Sequence, residues 1–429
     1  MPDATRSRLR SRTFAALDNP DYRLSFLGQG ISLIGTWLQA AAVSWIVFDK
    51  TKSERMSGLV EAAGIVPGLA VGIFAGVLAD RVVPRTTILL SQVAQMALAF
   101  GLALLVGLGV ERVWQLALIV ALSRIFVTFE MPARQVFLLD LVGRSSLMNA
   151  IALNSGLFNA SRVIGPALAG ACLSWLGESA CFALNGVSYV AAIASLMFIR
   201  LDRRGTPPST RGPGEIFGGF SYLVSDVRIR SLYLMMMGFG VLGGGFGALG
   251  PSYARGVIGT GTWGYSILLA SGGLGATFGA LLVASLGGVK RRERLVLAGV
   301  ALYAVSMLAA SLVPPAMGAL GSSARLAFGG MALFGTGIGA IIFYATTQTM
   351  IQTAVPDSLR GRIMGIWMIV FSGSVPIGCL WAGELAQAIG VRQVMNLSAV
   401  SCALLAIVGW ASGRLADPAW GGIKAPALP

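Results

Sequence analysis

The sequence has no histidine, and only 12% of its 429 residues are charged. Soluble globular proteins carry roughly 25%. With 55% of its residues hydrophobic, the chain lacks the polar surface to cover a core of its own size, so composition excludes a soluble globular protein and points to the bilayer. The absence of histidine removes the usual metal ligand and the usual physiological-pH switch. Cysteine is scarce. Cys172, Cys181, Cys379 and Cys402 each sit in an apolar stretch without metal-ligand spacing, and they read as small packing residues. No metal and no cofactor are expected. Acids are also few, 18 against 32 Lys and Arg. The resulting charge of +14 does not indicate nucleic acid, because the basic residues cluster in short gaps between apolar runs. The polar, arginine-rich N-terminus has no early apolar segment of the signal-peptide kind.

What is present is apolar length. A helix crossing the hydrocarbon core needs about 20 apolar residues. Stretches of that length occur at 23–48, 56–79, 86–109, 113–138, 147–176, 180–199, 231–254, 263–287, 295–314, 325–352, 361–388 and 391–413. The expected fold is an all-α integral membrane protein of twelve helices in two six-helix bundles. Residues 1–22 form an N-terminal segment, 23–199 the first bundle, 200–230 a Pro- and Gly-containing linker, 231–413 the second bundle and 414–429 a tail. With the N-terminus in the cytoplasm, the gaps on that side hold 23 Lys and Arg and the opposite side holds seven, which places both termini inside. The halves also resemble each other. Aligning 142–170 with 355–383 pairs Phe158 with Phe371, Ser161 with Ser374, Ile164 with Ile377, Gly165 with Gly378, and Ala169–Gly170 with Ala382–Gly383. That offset argues for two parallel repeats about an axis normal to the membrane.

"GVLADRVVPR", from Gly76 to Arg85, sits in the gap after the second apolar stretch. It resembles the loop signature of the major facilitator superfamily, Gly-x-Leu-Ala-Asp-Arg-x-Gly-Arg-Lys, through Gly76, Asp80, Arg81 and Arg85, while Val83 and Pro84 depart from it. The resemblance implies a latch in which Asp80 meets the start of the eleventh helix, "PDSLRGR", where Arg360 and Arg362 stand. Such a pair forms in one conformational state and breaks in the other. The stretches 19–39, 129–138 and 149–170 are similar to the transmembrane secretion effector branch of the superfamily. "RVIGPALAG" (162–170) resembles the helix-five motif of its drug-efflux members. There Gly165 and Gly170 permit close helix approach, and Pro166 bends a rocking element.

Charges inside the apolar runs are functional candidates by default. Arg124 lies 12 residues past Arg112, about 18 Å into its span at 1.5 Å per residue, near mid-membrane. No acid stands at i±3 or i±4 from it. Glu130 falls roughly 240° around the same helix, near Arg134 and off the Arg124 face. Ser155, Asn159 and Arg162 form a stripe at i, i+4, i+7. Gln29, Ser32, Thr36 and Gln39 form another, and Tyr344, Gln348 and Gln352 a third. Such stripes face a water-filled path or glue helices together. Glu130 and Glu61 are the candidate proton carriers, with Glu384 nearer a helix end. "GTGIGA" (335–340) lies inside an apolar span with no strand before it, so it is not a phosphate loop, and no enzyme is expected. The expected protein is a secondary transporter of the bacterial cytoplasmic membrane, working as a monomer. It is expected to export a siderophore or drug-like molecule by alternating access and proton antiport. Uptake or lipid movement on the same fold, or a nontransporting receptor, are the alternatives.

Overall fold

The computed structural model describes residues 15–64, 67–68, 83–200, 215–286, 291–316 and 321–411, without the side chains of 215–219, 314–316 and 357–358. No strand occurs among these residues. The helices are α1 (Pro20–Thr51), α2 (Glu54–Ala62), α3 (Pro84–Gly107), α4 (Val113–Trp175), α5 (Glu178–Phe198), α6 (Glu215–Ser225), α7 (Val227–Gly243), α8 (Phe246–Ser252), α9 (Thr262–Ser285), α10 (Arg292–Ala316), α11 (Ser322–Ala354), α12 (Asp357–Ile389) and α13 (Val391–Ala411). A π-helical turn, Tyr253–Ile258, follows α8 and ends at Gly259 in the left-handed region. Ten stretches are long and apolar enough to cross a membrane among the described residues. Much of the expected second span lies outside those residues. The linker expected over 200–230 contains a helix, α6, and α7 begins at Val227 because the Asp226 carboxylate accepts from the backbone N–H of Arg228 at 2.8 Å and of Ile229 at 3.2 Å. This is the N-cap geometry that a short acidic side chain favours.

Two compact units share the chain. The described residues up to Ile46 and from 67 to 200 form one, and those of 47–64 and 215–411 form the other.

In the first unit α1 starts on local chemistry. Asn19 Oδ1 accepts from the N–H of Asp21 and Tyr22 at 2.9 and 3.1 Å, and Pro20 follows it at the first helical position, where its missing N–H costs nothing. The Asn19 amide also donates to Leu141 O at 2.7 Å. Two of the expected spans run together in α4, which has 63 residues. At 1.5 Å per residue it would be about 95 Å long if straight, three times the hydrocarbon thickness. It breaks at Gly143, whose φ of 67° and ψ of 175° belong to a region essentially reserved for glycine. The two arms run in opposite directions: Asn19 at the start of α1 binds Leu141 O, and Ser32, further along α1, reaches Glu130 through Gln92, so the first arm is antiparallel to α1. Tyr22 Oη donates to Ala150 O at 3.1 Å, and Trp37, further along α1, stacks on Arg162, so the second arm is parallel to α1. Tyr189 reaches Gln95 and Ser179 reaches Ala103, so α5 is antiparallel to α3. Gly165 brings the second arm onto α1, where an added methyl group would meet the Trp37 side chain and the backbone of Ile34 and Leu38.

In the second unit the same device recurs. Gly378 of α12 lies against the carbonyls of Gly240 and Val241 on α7. The short α2 packs on α12 through Gly58, which faces the Cys379 carbonyl and Gly383. Beside this contact Arg55 pairs with Glu384 at 2.9 Å, Ser53 Oγ donates to Gln387 at 2.7 Å, and Asp49 pairs with Arg255 on the π-helical turn. All four cysteines are free and buried.

Gly143→Ala should destabilise the first unit by about 1–3 kcal/mol, the cost of holding a Cβ-bearing residue in that backbone region. A lower unfolding temperature of the purified protein in detergent, with unchanged helical circular dichroism at low temperature, is the expected result.

Candidate functional site

Four helices of the first unit converge on one carboxylate. Glu130, on the first arm of α4, is 6% exposed. Its Oε1 accepts from Gln92 Nε2 at 2.7 Å and from Arg134 Nε, one helical turn along. Its Oε2 accepts from Gln95 Nε2 at 2.8 Å. Both amides come from α3, at i and i+3 on one face. Their oxygens carry the network onward. Gln95 Oε1 accepts from the Tyr189 hydroxyl of α5 at 3.2 Å, and that hydroxyl lies 3.3 Å from Thr36 Oγ1 of α1. Gln92 Oε1 accepts from Ser32 Oγ at 3.4 Å. A second pair joins α5 to α1, with Asn185 Nδ2 donating to Gln39 Oε1 at 2.7 Å.

The carboxylate thus meets three donors, one of them a guanidinium, and both amides turn their N–H groups toward it. Were Glu130 protonated, one of its oxygens would become a donor, and the amide facing it would lose its bond or turn its oxygen inward.

The residues singled out from the sequence fall into distinct places. Ser32, Thr36 and Gln39 lie in helix-to-helix hydrogen bonds, so interhelical glue describes that stripe in this conformation, while Gln29 is half-buried beside them. In the second stripe Asn159 Nδ2 donates to Ser155 O at 2.9 Å, and the Arg162 guanidinium lies over the Trp37 ring at 5.8 Å. Arg124 is exposed, and no hydrogen bond or ion pair engages its guanidinium among the described residues. Gly165, Pro166 and Gly170 are all buried on the second arm of α4. In the second unit Tyr344 belongs to an aromatic cluster, with Phe239 at 5.4 Å, Phe343 at 5.2 Å and Phe371 at 5.0 Å between ring centroids. Gln348 is half-buried one turn along. Glu61 is half-buried on α2, in the second unit. Of the expected latch, Gly76, Asp80 and Arg81 lie outside the described residues. Arg85 donates to Met197 O at 3.2 Å and Arg360 to Gln352 O at 3.0 Å, while Arg362 is half-buried on α12.

Sequence reasoning missed Gln92, Gln95, Tyr189 and Asn185. Two amides three residues apart in an otherwise apolar span were the available signal.

Ten long apolar stretches among the described residues, in two units each built around close glycine contacts, make the chain a multi-pass membrane protein, and the comparisons give it the class of a transporter. Solved structures share the architecture. A bacterial homologue of the human lysosomal transporter Spinster, inward-facing and unoccupied, superposes with a TM-score of 0.72 at 15% identity over 92% of this chain and 98% of that one. A POT family transporter in complex with 5-aminolevulinic acid gives 0.74 at 12% identity over 92% and 96%. The fold is that of the major facilitator transporters. The chain belongs to the transmembrane secretion effector family, which it matches over residues 11–422. It is 25% identical over 410 residues to the multidrug efflux pump Tap of Mycolicibacterium fortuitum, covering 91% of this chain and 93% of that protein. It is 23% identical over 386 residues to macrolide efflux protein A of Streptococcus pyogenes, covering 89% and 93%.

Gln95→Leu removes the one donor to Glu130 Oε2 among the described residues and should cost about 1–3 kcal/mol, the penalty of a buried acceptor left unmet. Tyr189→Phe removes a neutral hydrogen bond and should cost about 1 kcal/mol. Thermal unfolding of the two variants in detergent should rank them in that order.

Proposed function

We propose that the protein exports a small organic molecule, siderophore-like or drug-like, across the bacterial cytoplasmic membrane by alternating access, driven by proton antiport. The bias of Lys and Arg between the two sides supports termini that face the cytoplasm. The export direction rests on the relatives, which carry drugs or macrolides in their names. The antiport reading rests on one observation, the buried Glu130 with its three donors. A carboxylate that on taking up a proton reorganises its hydrogen bonds to α3, and through Gln92 and Gln95 those to α1 and α5, can couple protonation to helix movement. Glu61 is the second candidate. In the same cycle Asp80 latches the cytoplasmic side by pairing near Arg360 and Arg362, and breaks away when that side opens.

The experiment is transport in inside-out membrane vesicles. Glu130→Gln should abolish uptake driven by a proton gradient while leaving downhill exchange. If Glu130→Gln, Glu61→Gln and the double variant all keep gradient-driven uptake, proton coupling through these carboxylates is wrong. Asp80→Asn should lower the transport rate at an unchanged amount of membrane-inserted protein, and a wild-type rate in that variant would remove the latch.

A further inference from the structure

The second arm of α4 and α5 meet in a tight corner, and that corner brings two cysteines together. Cys172 stands in the last turn of α4, and Cys181 is the fourth residue of α5. After Cys172 the chain reverses at once. The N–H groups of Leu176 and Gly177 both donate to Cys172 O, at 2.8 and 3.0 Å. Gly177 completes the reversal with a φ of 85°, a backbone region that favours glycine. One carbonyl then receives both thiols. Cys181 Sγ donates to Gly177 O at 3.6 Å and Cys172 Sγ at 4.0 Å, and the two side chains are near enough to act on one another. Both thiols are free in this structure and buried. Cys379 and Cys402 stand well inside α12 and α13, away from any such corner.

The end of the unit at which they meet matters for their chemistry. Asn19, at the start of α1, binds Leu141 O beside Gly143, so with the N-terminus in the cytoplasm the Gly143 end is the cytoplasmic one. The second arm of α4 runs from that end to the other, and the corner at Gly177 then lies on the outer side of the membrane. The turn between α3 and α4 is at the same end. Ser179 Oγ donates to Ala103 O at 2.7 Å, and a methyl group added at Gly107 would meet Ser179 Oγ at 3.0 Å. Disulfides form and persist on the outer side of a bacterial cytoplasmic membrane, whereas thiols on the cytoplasmic side are kept reduced. Cys172 and Cys181, nine positions apart in the sequence, thus converge where oxidation is the rule.

We infer that Cys172 and Cys181 are a modification site, joined as a disulfide by exchange with a disulfide-bearing oxidant protein on the outer side of the membrane. The inference rests on the reading that the termini face the cytoplasm. One thiolate of the pair attacks a sulfur of the oxidant's disulfide, which gives a mixed disulfide and releases one oxidant thiolate. The second thiolate of the pair attacks its neighbour's sulfur in the mixed disulfide and expels the other oxidant thiolate. The pair gives up two protons and two electrons, and the oxidant takes both up as a dithiol. The exchange takes place while α4 and α5 are inserted, before the corner packs and its thiols are covered. The bridge fastens the outer end of the second arm of α4 to α5 and, through Ser179, to α3. The arm that carries Gly165 and Pro166 is then pinned at one end and jointed at Gly143 at the other.

The test counts thiols in the full chain expressed in a bacterial host. Cells are quenched with acid, the protein is alkylated with N-ethylmaleimide in denaturant, and its peptides are mapped without reduction. Cys379 and Cys402 should be alkylated, with Cys172 and Cys181 recovered in one cross-linked species, and after reduction all four cysteines should alkylate. Dithiothreitol should lower the unfolding temperature of the purified wild-type protein by several degrees, because it frees the unfolded chain from the cross-link. It should leave the unfolding temperatures of Cys172→Ala and Cys181→Ala unchanged. The wild-type thiol count decides the matter even if both variants fail to insert. Val110→Cys, exposed in the turn between α3 and α4, reports the side through a membrane-impermeant maleimide applied to spheroplasts. Four alkylated cysteines in the unreduced wild-type protein, with Val110→Cys labelled in spheroplasts, would overturn the bridge and leave the orientation standing. Four alkylated cysteines with Val110→Cys labelled only after lysis would overturn both.

Discussion

A carboxylate in an apolar helical bundle must be met by donors, because no water is there to solvate it. Glu130 imposes that constraint on the first unit. Its oxygens fix Gln92 and Gln95 on α3, those amides fix Ser32 on α1 and Tyr189 on α5, and Tyr189 lies against Thr36 on α1. Four helices are therefore tied to one charge by polar contacts whose direction depends on that charge. The glycine contacts that bring the helices together are apolar and carry no such direction. The unit thus combines slippery apolar packing with one polar junction that can exist in two arrangements.

The two units solve their packing alike. Gly165 seats the second arm of α4 on the α1 backbone, and Gly378 seats α12 on the α7 backbone. These glycines are partners in the alignment of 142–170 with 355–383, so the internal repeat visible in the letters is also a repeat of contacts. The units differ in what surrounds those contacts. The first carries the Glu130 hydrogen-bond network, whereas the second carries the ring cluster of Phe239, Tyr303, Phe343, Tyr344 and Phe371.

The membrane class, most of the spans and the glycine seats were legible because they depend on composition, run length and residue size. The merging of two spans into α4 was not, since helix propensity is strong on both sides of Gly143 and only its backbone angles break the run. The stripe on α1 was visible as a pattern, but its partners were not, because Gln92, Tyr189 and Asn185 are distant in sequence and unremarkable within their own helices. Glu130 was visible as a buried acid. Its neighbours were hidden because amides are neutral and do not stand out among apolar residues, although they are among the few side chains that can satisfy a carboxylate without adding charge. Arg124 was read as mid-membrane from spacing alone, and the structure adds that it is exposed on the first arm of α4.

The four cysteines are the chain's entire complement of thiols, and all are buried. Packed as small apolar groups, they are shielded from the polar alkylating reagents that report water access in membrane proteins. The native sequence is therefore its own blank for thiol chemistry. A cysteine placed at Thr128 or Gln135 would be read against silence, without first stripping the protein of packing residues such as Cys379, whose Sγ reaches the Gly244 carbonyl at 3.4 Å.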